Sequence, residues 1–318
     1  MIPALILSLI ACAPKYAQLG PLEPGDLWAP LAVQNTVVSD PVFGNINVAF
    51  IDSGAPAGGE DRAPIVFIHG LSSYMGFWEY QVDHFAKERR VLALDLPGYG
   101  ASDRPDATYS PQWYADVVSE WMFGVGIDRA VVVGHSMGGQ IAMELALNHP
   151  ERVERLVLSA PAGIETFNPG AAGFMKSFWT ESRAMESTEE QVRANFVTMV
   201  FNTVDDSVER LIQERVRLGQ SPRFAGTSVA VSRSIAGMVD NPVAERAKAI
   251  AVPTLIVYGS EDRMIPNPIF TGGRTRSIAE RAHRLIPHSR LVMVEGAGHT
   301  VHHDAPRAFN EAVEEFLP

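Results

Sequence analysis

Short apolar runs without polar alternation recur along this chain: Ile65–Ile68, Val91–Leu94, Ala130–Val133, Leu156–Leu158, Thr254–Tyr258 and Leu291–Val294. Most are rich in β-branched residues, and a run apolar on both sides suits a parallel strand buried on both faces. Between them lie the stretches Phe77–Lys87, Pro111–Val125, Met137–Asn148, Arg274–His283 and Ala305–Phe316, read here as helices. In the third, Ile141 and Leu145 share one helical face. Ser110 before Pro111 has the form of an N-cap followed by proline at the first helical position. Ahead of this alternation, Thr36–Val38 and Ile46–Ile51 are β-like runs broken by Asp40-Pro41 and Gly44-Asn45, which predicts antiparallel edge strands. Strands alternating with helices predict a mostly parallel central sheet with helices on both faces.

One interval breaks the rhythm. From Ala160 to Pro253 no strand pattern occurs. Ser187 and Glu190 have capping-box spacing, Val192, Phe196, Met199 and Val200 share a helical face, and Val208, Leu211, Ile212 and Val216 repeat the pattern up to Gly219. This predicts a helical insert over 163–247, leaving 33–162 and 248–318 as the core. The insert opens with an unusually apolar cluster, Phe167, Phe174, Met175, Phe178 and Trp179. These residues are candidates for a substrate-lining surface, or for packing the insert onto the body.

The chain has 318 residues, 46% of them apolar, enough for one large domain with an insertion. Its 26 basic and 37 acidic residues give a formal charge of −11 and no basic patch, which argues against nucleic-acid binding. His299, His302 and His303 offer the only metal-like spacing, and without a third ligand set it predicts no metal site. Nothing in the sequence calls for a cofactor.

Cys12 is the sole cysteine, so no intramolecular disulfide can form. It follows an uncharged apolar stretch, Met1 to Ala11, too short to span a bilayer. Leu9-Ile10-Ala11-Cys12 resembles a bacterial lipobox, although the basic n-region is absent. The resemblance implies a signal segment over 1–12, lipid on Cys12 and a membrane-held place in the bacterial cell envelope; a cytoplasmic protein with a buried Cys12 is the alternative. Residues 13–32 are rich in Pro and Gly without periodicity and read as a linker.

The chemistry gathers where strands end. Gly134-His135-Ser136-Met137-Gly138 follows the third of the six runs and opens a helix, which is the G-x-S-x-G nucleophile-elbow pattern. His69-Gly70-Leu71, Gly259-Ser260-Glu261-Asp262 and Gly296-Ala297-Gly298-His299 each follow another run. Open α/β sheets place ligands at these carboxyl ends. A serine hydroxyl needs a base within hydrogen-bond reach, and the base needs a partner to fix its tautomer.

Asp95-Leu96-Pro97-Gly98-Tyr99-Gly100-Ala101-Ser102 and His299-Thr300-Val301-His302-His303-Asp304-Ala305-Pro306 add to these motifs. Together they resemble the α/β-hydrolase fold superfamily from about Asn45 to Pro318, outside the insert, which then corresponds to the helical cap of many members. The resemblance implies Ser136 as nucleophile, His299 as general base and Asp262 as its orienting acid. It also implies an oxyanion hole from the backbone N–H groups of Leu71 and Met137. Glu261 competes with Asp262, and His302 and His303 with His299; family spacing selects Asp262 and His299. His69 and His135 would lie beside the site as supporting groups, and Asp95 would pin its loop.

Serine at the elbow differs from the aspartate of the haloalkane dehalogenase and epoxide hydrolase branches. His69-Gly70-Leu71-Ser72 is not the H-G-G-P-G of proline iminopeptidases, and Thr300 stands where carbon–carbon bond hydrolases usually carry tryptophan. Ser159-Ala160-Pro161-Ala162-Gly163-Ile164 is similar to the matching stretch of monoacylglycerol-lipase-like members. The expectation is therefore a serine hydrolase of small-molecule carboxylic esters with apolar or lipid-like parts. A carbon–carbon bond hydrolase or other small-molecule α/β-hydrolase and a non-catalytic ligand-binding scaffold remain the alternatives.

Overall fold

A computed structural model describes residues 15–318 apart from 186 and 268. Cys12 and the signal-like segment lie outside the described residues. Eight strands form one sheet in the order β1-β2-β4-β3-β5-β6-β7-β8. They are β1 (Gln34–Asp40), β2 (Gly44–Asp52), β3 (Ile65–Ile68), β4 (Val91–Leu94), β5 (Ala130–His135), β6 (Val153–Ser159), β7 (Thr254–Gly259) and β8 (Ser289–Val294). β1 and β2 pair antiparallel, β2 joins β4 antiparallel, and every later pairing is parallel.

The unalternating runs are explained by two cores, one on each side of the sheet. Val66 and Ile68 face one core, Ile65 and Phe67 the other. The first is covered by α2 (Pro111–Gly124), α3 (Met137–Asn148) and α9 (Thr275–Leu285), which contribute Trp121, Ile141, Leu145 and Ile278. The second is covered by α1 (Glu79–Phe85) and α11 (Pro306–Glu314), through Val82, Phe85, Phe309 and Val313. At the start of α2, the Ser110 hydroxyl accepts the Trp113 N–H and Pro111 occupies the first helical position. The expected helix at Phe77 begins two residues earlier, as a 3-10 turn over Met75–Trp78. The last expected helix is found as α11, with Pro306 at its first position, and a separate short turn, α10 (Val301–Asp304), precedes it.

Between β6 and β7 lie α4 (Pro169–Phe178), α5 (Glu181–Met185), α6 (Glu189–Asn195), α7 (Asp206–Leu218) and α8 (Phe224–Asp240). The capping box falls one residue later than the sequence pattern suggests: Thr188 and Gln191 cap α6 reciprocally. No helix among the described residues is long and apolar enough to cross a membrane.

Residues 15–31, expected as part of a free linker, lie along the cap. The N–H groups of Lys15, Tyr16 and Ala17 donate to the Glu189 carboxylate at 2.8–2.9 Å. The Tyr16 hydroxyl donates to Glu209 (2.7 Å), the Trp28 N–H to Glu214 (3.0 Å), and Arg210 stacks 4.0 Å over the Trp28 ring. Absent periodicity reflects irregular backbone, and here cap carboxylates satisfy that backbone's polar groups. The segment is a strap across α6 and α7.

Candidate active site

Register places the functional loops together. Ile68 pairs with Gly134 and Gly259 with Val294, so β3, β5, β7 and β8 end along one edge of the sheet. Ser136 sits between β5 and α3 at φ 51°, ψ −116°, a conformation that costs a non-glycine residue about 1–3 kcal/mol. The surroundings hold it there. Its N–H donates to the Ser159 carbonyl (3.0 Å), and its own carbonyl accepts the N–H groups of Gly139 (2.9 Å) and Ala162 (3.0 Å). The flanking glycines are dictated by contact. A Cβ on Gly134 would lie 2.2 Å from the Gly138 carbonyl oxygen, and one on Gly138 would lie 2.3 Å from that of Ile68.

Ser136, His299 and Asp262 form one hydrogen-bonded line. His299 Nδ1 lies 2.9 Å from Asp262 Oδ2, and its Nε2 lies 3.0 Å from Ser136 Oγ. A carboxylate only accepts, so the His299 proton sits on Nδ1 and Nε2 is free to accept from the serine. The other Asp262 oxygen accepts the N–H groups of Met264 (2.8 Å) and Ile265 (3.0 Å), which fixes the carboxylate plane. Glu261 is exposed and turns instead to Asn202 (3.2 Å). His302 stacks on Trp78 with ring centroids 4.0 Å apart, and His303 approaches Ser207 (3.3 Å). The three histidines of the metal-like spacing thus face different partners.

The Leu71 and Met137 N–H groups donate to no other group among the described residues. Met137 opens α3, where the first amides have no partner within the helix. Leu71 follows β3, and a Cβ on its neighbour Gly70 would stand 3.3 Å from the Ser136 Cβ. Both free donors therefore border the serine. His69 holds this loop: its Nδ1–H donates to the Gly70 carbonyl (2.7 Å) and its Nε2 accepts the Leu96 N–H (3.0 Å). Asp95 pins the next loop by accepting from Met75 and Ala101, each at 2.7 Å. His135 reaches the His299 carbonyl through Nε2 (3.2 Å), bracing the histidine backbone.

Burial lowers the pKa of His69 from 6.5 to about 4. Between those values the unfolded chain binds more protons than the folded one. The resulting stability is present above pH 6.5 and is lost as pH falls through 4, up to about 3 kcal/mol. Burial moves His135 and His302 the same way. Asp95 has the opposite sign: burial raises its pKa from 3.8 to about 6, favouring the folded state at the acid end. In denaturant titrations across this window, His69→Asn should start less stable but show a shallower decline. An unchanged slope would remove His69 from the pH response.

The apolar cluster of α4 lies elsewhere. Phe174, Phe178 and Trp179 are 53%, 39% and 40% exposed, while Phe167 and Met175 pack against the core. Phe174 meets Phe178 and Phe270 in a surface aromatic group. None of the five lines the narrow cavity, about 30 Å³, that borders Ser72 and Ser73 just beyond Leu71. Its apolar wall comes from Phe77, Phe196, Leu211, Leu218, Phe224 and, from the strap, Leu27. Helical periodicity shows that a helix has an apolar face but not what that face meets: α7 and its neighbours, not α4, line this cavity, which Ser136 and His299 do not border. One buried carboxylate had no sequence signal: Glu165, which accepts the Asn267 N–H (2.6 Å), has its pKa raised by burial and feels the charges of Asp262 and His299.

The architecture and site belong to one class of protein. A family model described as alpha/beta hydrolase fold matches residues 63–306, and the chain belongs to that family. It is 26% identical over 289 residues to a putative 2-succinyl-6-hydroxy-2,4-cyclohexadiene-1-carboxylate synthase of Bacillus subtilis, covering 89% of this chain and 97% of the relative. It is 33% identical over 210 residues to a 2-hydroxymuconate semialdehyde hydrolase of a Pseudomonas species, covering 64% and 71%. Among solved structures, a probable hydrolytic enzyme of Pseudomonas aeruginosa superposes with a TM-score of 0.85 at 25% identity, covering 95% of this chain and 99% of that one.

Proposed function

We propose that this protein is a serine hydrolase of carboxylic esters that works through an acyl-enzyme. The observation carrying this reading is the line from Ser136 Oγ through His299 to Asp262, beside two unpaired N–H donors. Ser136 Oγ attacks the ester carbonyl carbon while its proton passes to His299 Nε2. The oxygen of the tetrahedral intermediate takes the negative charge and accepts from the Leu71 and Met137 N–H groups; losing one such donor typically lowers the rate about 100- to 1000-fold. As the C–O bond breaks, His299 returns the proton to the departing alcohol. Water then repeats the sequence on the acyl-serine and releases the acid.

The test is labelling by an organophosphonate probe together with a hydrolysis screen of p-nitrophenyl esters and acylglycerols across chain lengths. A protein that neither labels nor hydrolyses any of them is a binding scaffold instead. The likeness to the Pseudomonas relative supports a second reading, carbon–carbon bond hydrolysis, so 2-hydroxymuconate semialdehyde enters the same screen. Thr300, in place of the tryptophan usual in such enzymes, supports the ester.

The apolar cavity wall supports esters with an apolar part. Leu211→Ala should shift chain-length preference by about tenfold with less effect on the shortest ester, whereas Phe174→Ala, on the surface, should leave the profile unchanged. Uniform losses at every length for Leu211→Ala would mean that it only holds the cap.

For location, the proposal is export and lipidation at Cys12, supported by the lipobox-like residues before it. Several acyl chains, at about 0.8 kcal/mol per buried methylene, would anchor the protein stably. Intact mass and fractionation of native and Cys12→Ser protein from a bacterial host provide the test. A soluble cytosolic protein retaining Met1 would end the lipoprotein reading and leave the triad untouched.

A further inference from the structure

The cavity beyond the oxyanion loop is lined by a cation that pairs with no carboxylate among the described residues. Arg215, on α7, lines it together with Ser72 and Leu218. Its guanidinium carbon lies over the Phe224 ring, 4.4 Å from the centroid, a cation–π contact. Among the described residues, no carboxylate lies within 4.0 Å of Arg215 and its side chain donates to no acceptor. Other cap-facing arginines differ. Arg193 pairs with Glu209, Arg210 with Glu79 and Arg246 with Glu144. The carboxylate next in sequence, Glu214, also lines the cavity, but it accepts the Tyr74 hydroxyl and the Trp28 N–H.

Arg215 is only partly buried, so its N–H groups reach solvent and can exchange water for an anion. Burial lowers the Arg215 pKa only to about 10, so the group is charged at neutral pH. Its donors are a planar fork suited to a two-oxygen anion. The same cavity is bordered by Ser72, which follows the oxyanion donor Leu71, and by apolar Phe77 and Leu211.

We infer that Arg215 binds an anionic group of the substrate, a carboxylate or a phosphate, held away from the reacting carbonyl by an apolar spacer. This deepens the ester-hydrolase reading and rests on it for the word substrate. The site itself requires only the cavity and the guanidinium. It makes the preferred esters amphiphiles with one charged end.

The experiment measures binding rather than turnover. Ser136→Ala protein is titrated calorimetrically with hexanoate, hexyl phosphate and hexanol. The expected result is that one of the two anions binds about 10- to 100-fold tighter than hexanol. The tighter anion tells carboxylate from phosphate. Adding Arg215→Gln should abolish that preference while leaving hexanol binding in place, and Arg215→Lys, which keeps the charge without the fork, should retain part of it. Equal binding of all three probes by the Ser136→Ala protein would overturn the inference. So would an equal loss for all three on Arg215→Gln in protein whose circular dichroism is native. Since no catalysis is involved, failure here leaves ester hydrolysis standing, and a catalytic failure of Ser136 leaves this binding intact.

Discussion

Ser136→Ala should lower ester turnover by roughly 10^4-fold or more and abolish labelling by the organophosphonate probe. The substitution removes the one oxygen that lies 3.0 Å from His299 Nε2. It leaves the Ser159 and Ala162 hydrogen bonds that shape the elbow, because they involve only backbone atoms of residue 136. The melting temperature should therefore stay close to native while kcat/KM collapses. Residual activity would come from the two free N–H donors and from binding, which function without the nucleophile. A near-native rate would remove Ser136 from the mechanism, and an equally large fall in stability would make the loss one of folding.

Asp262→Asn should lower kcat/KM by about 10^4-fold. The carboxylate accepts on both oxygens: Oδ2 takes His299 Nδ1–H and Oδ1 takes the amides of Met264 and Ile265. An asparagine has one accepting atom. Pointing it at His299 turns an NH₂ group toward two N–H donors, and pointing it at the amides turns that NH₂ toward Nδ1. The second orientation puts the histidine proton on Nε2, where it can no longer take one from Ser136. Glu261→Gln is the matched control, since among the described residues its exposed side chain meets only Asn202 and Arg263. Activity should survive it. If Glu261→Gln cost as much as Asp262→Asn, the acid would be misassigned.

The sheet was legible because strands buried on both faces have no polar position to confuse with a helix face. Val66 and Phe67 look in opposite directions into apolar cores, and both positions are apolar in sequence for that reason. The triad was legible because tight backbone approach restricts residue type: Gly134 and Gly138 are glycine where no Cβ fits, and that spacing marks Ser136. Choosing Asp262 over Glu261 took family spacing; the physical reason is that Asp262 alone turns inward, where loop amides hold it. The surroundings were less legible. Phe174, Phe178 and Trp179 look like a lining from composition, but exposure depends on how α4 sits against its neighbours. The strap has no periodic signal, since its hydrogen bonds run to Glu189, Glu209 and Glu214, distant in sequence. Arg215 and Glu165 are the extreme case. Whether a charge is paired is a property of the assembled fold, and neither residue differs in sequence context from its paired neighbours.

The strap also sets a geometric leash. Cys12 precedes Lys15 by three positions, and three extended residues reach at most about 10 Å. Lys15 is fastened to α6 through Glu189, and farther along the strap Leu27 forms part of the cavity wall. Any attachment made at Cys12 would therefore load the cap directly rather than trail the protein on a long tether. Pulling there would tend to peel the strap from α6 before it strained the sheet, so the first element to yield would be the cover over the candidate binding cavity.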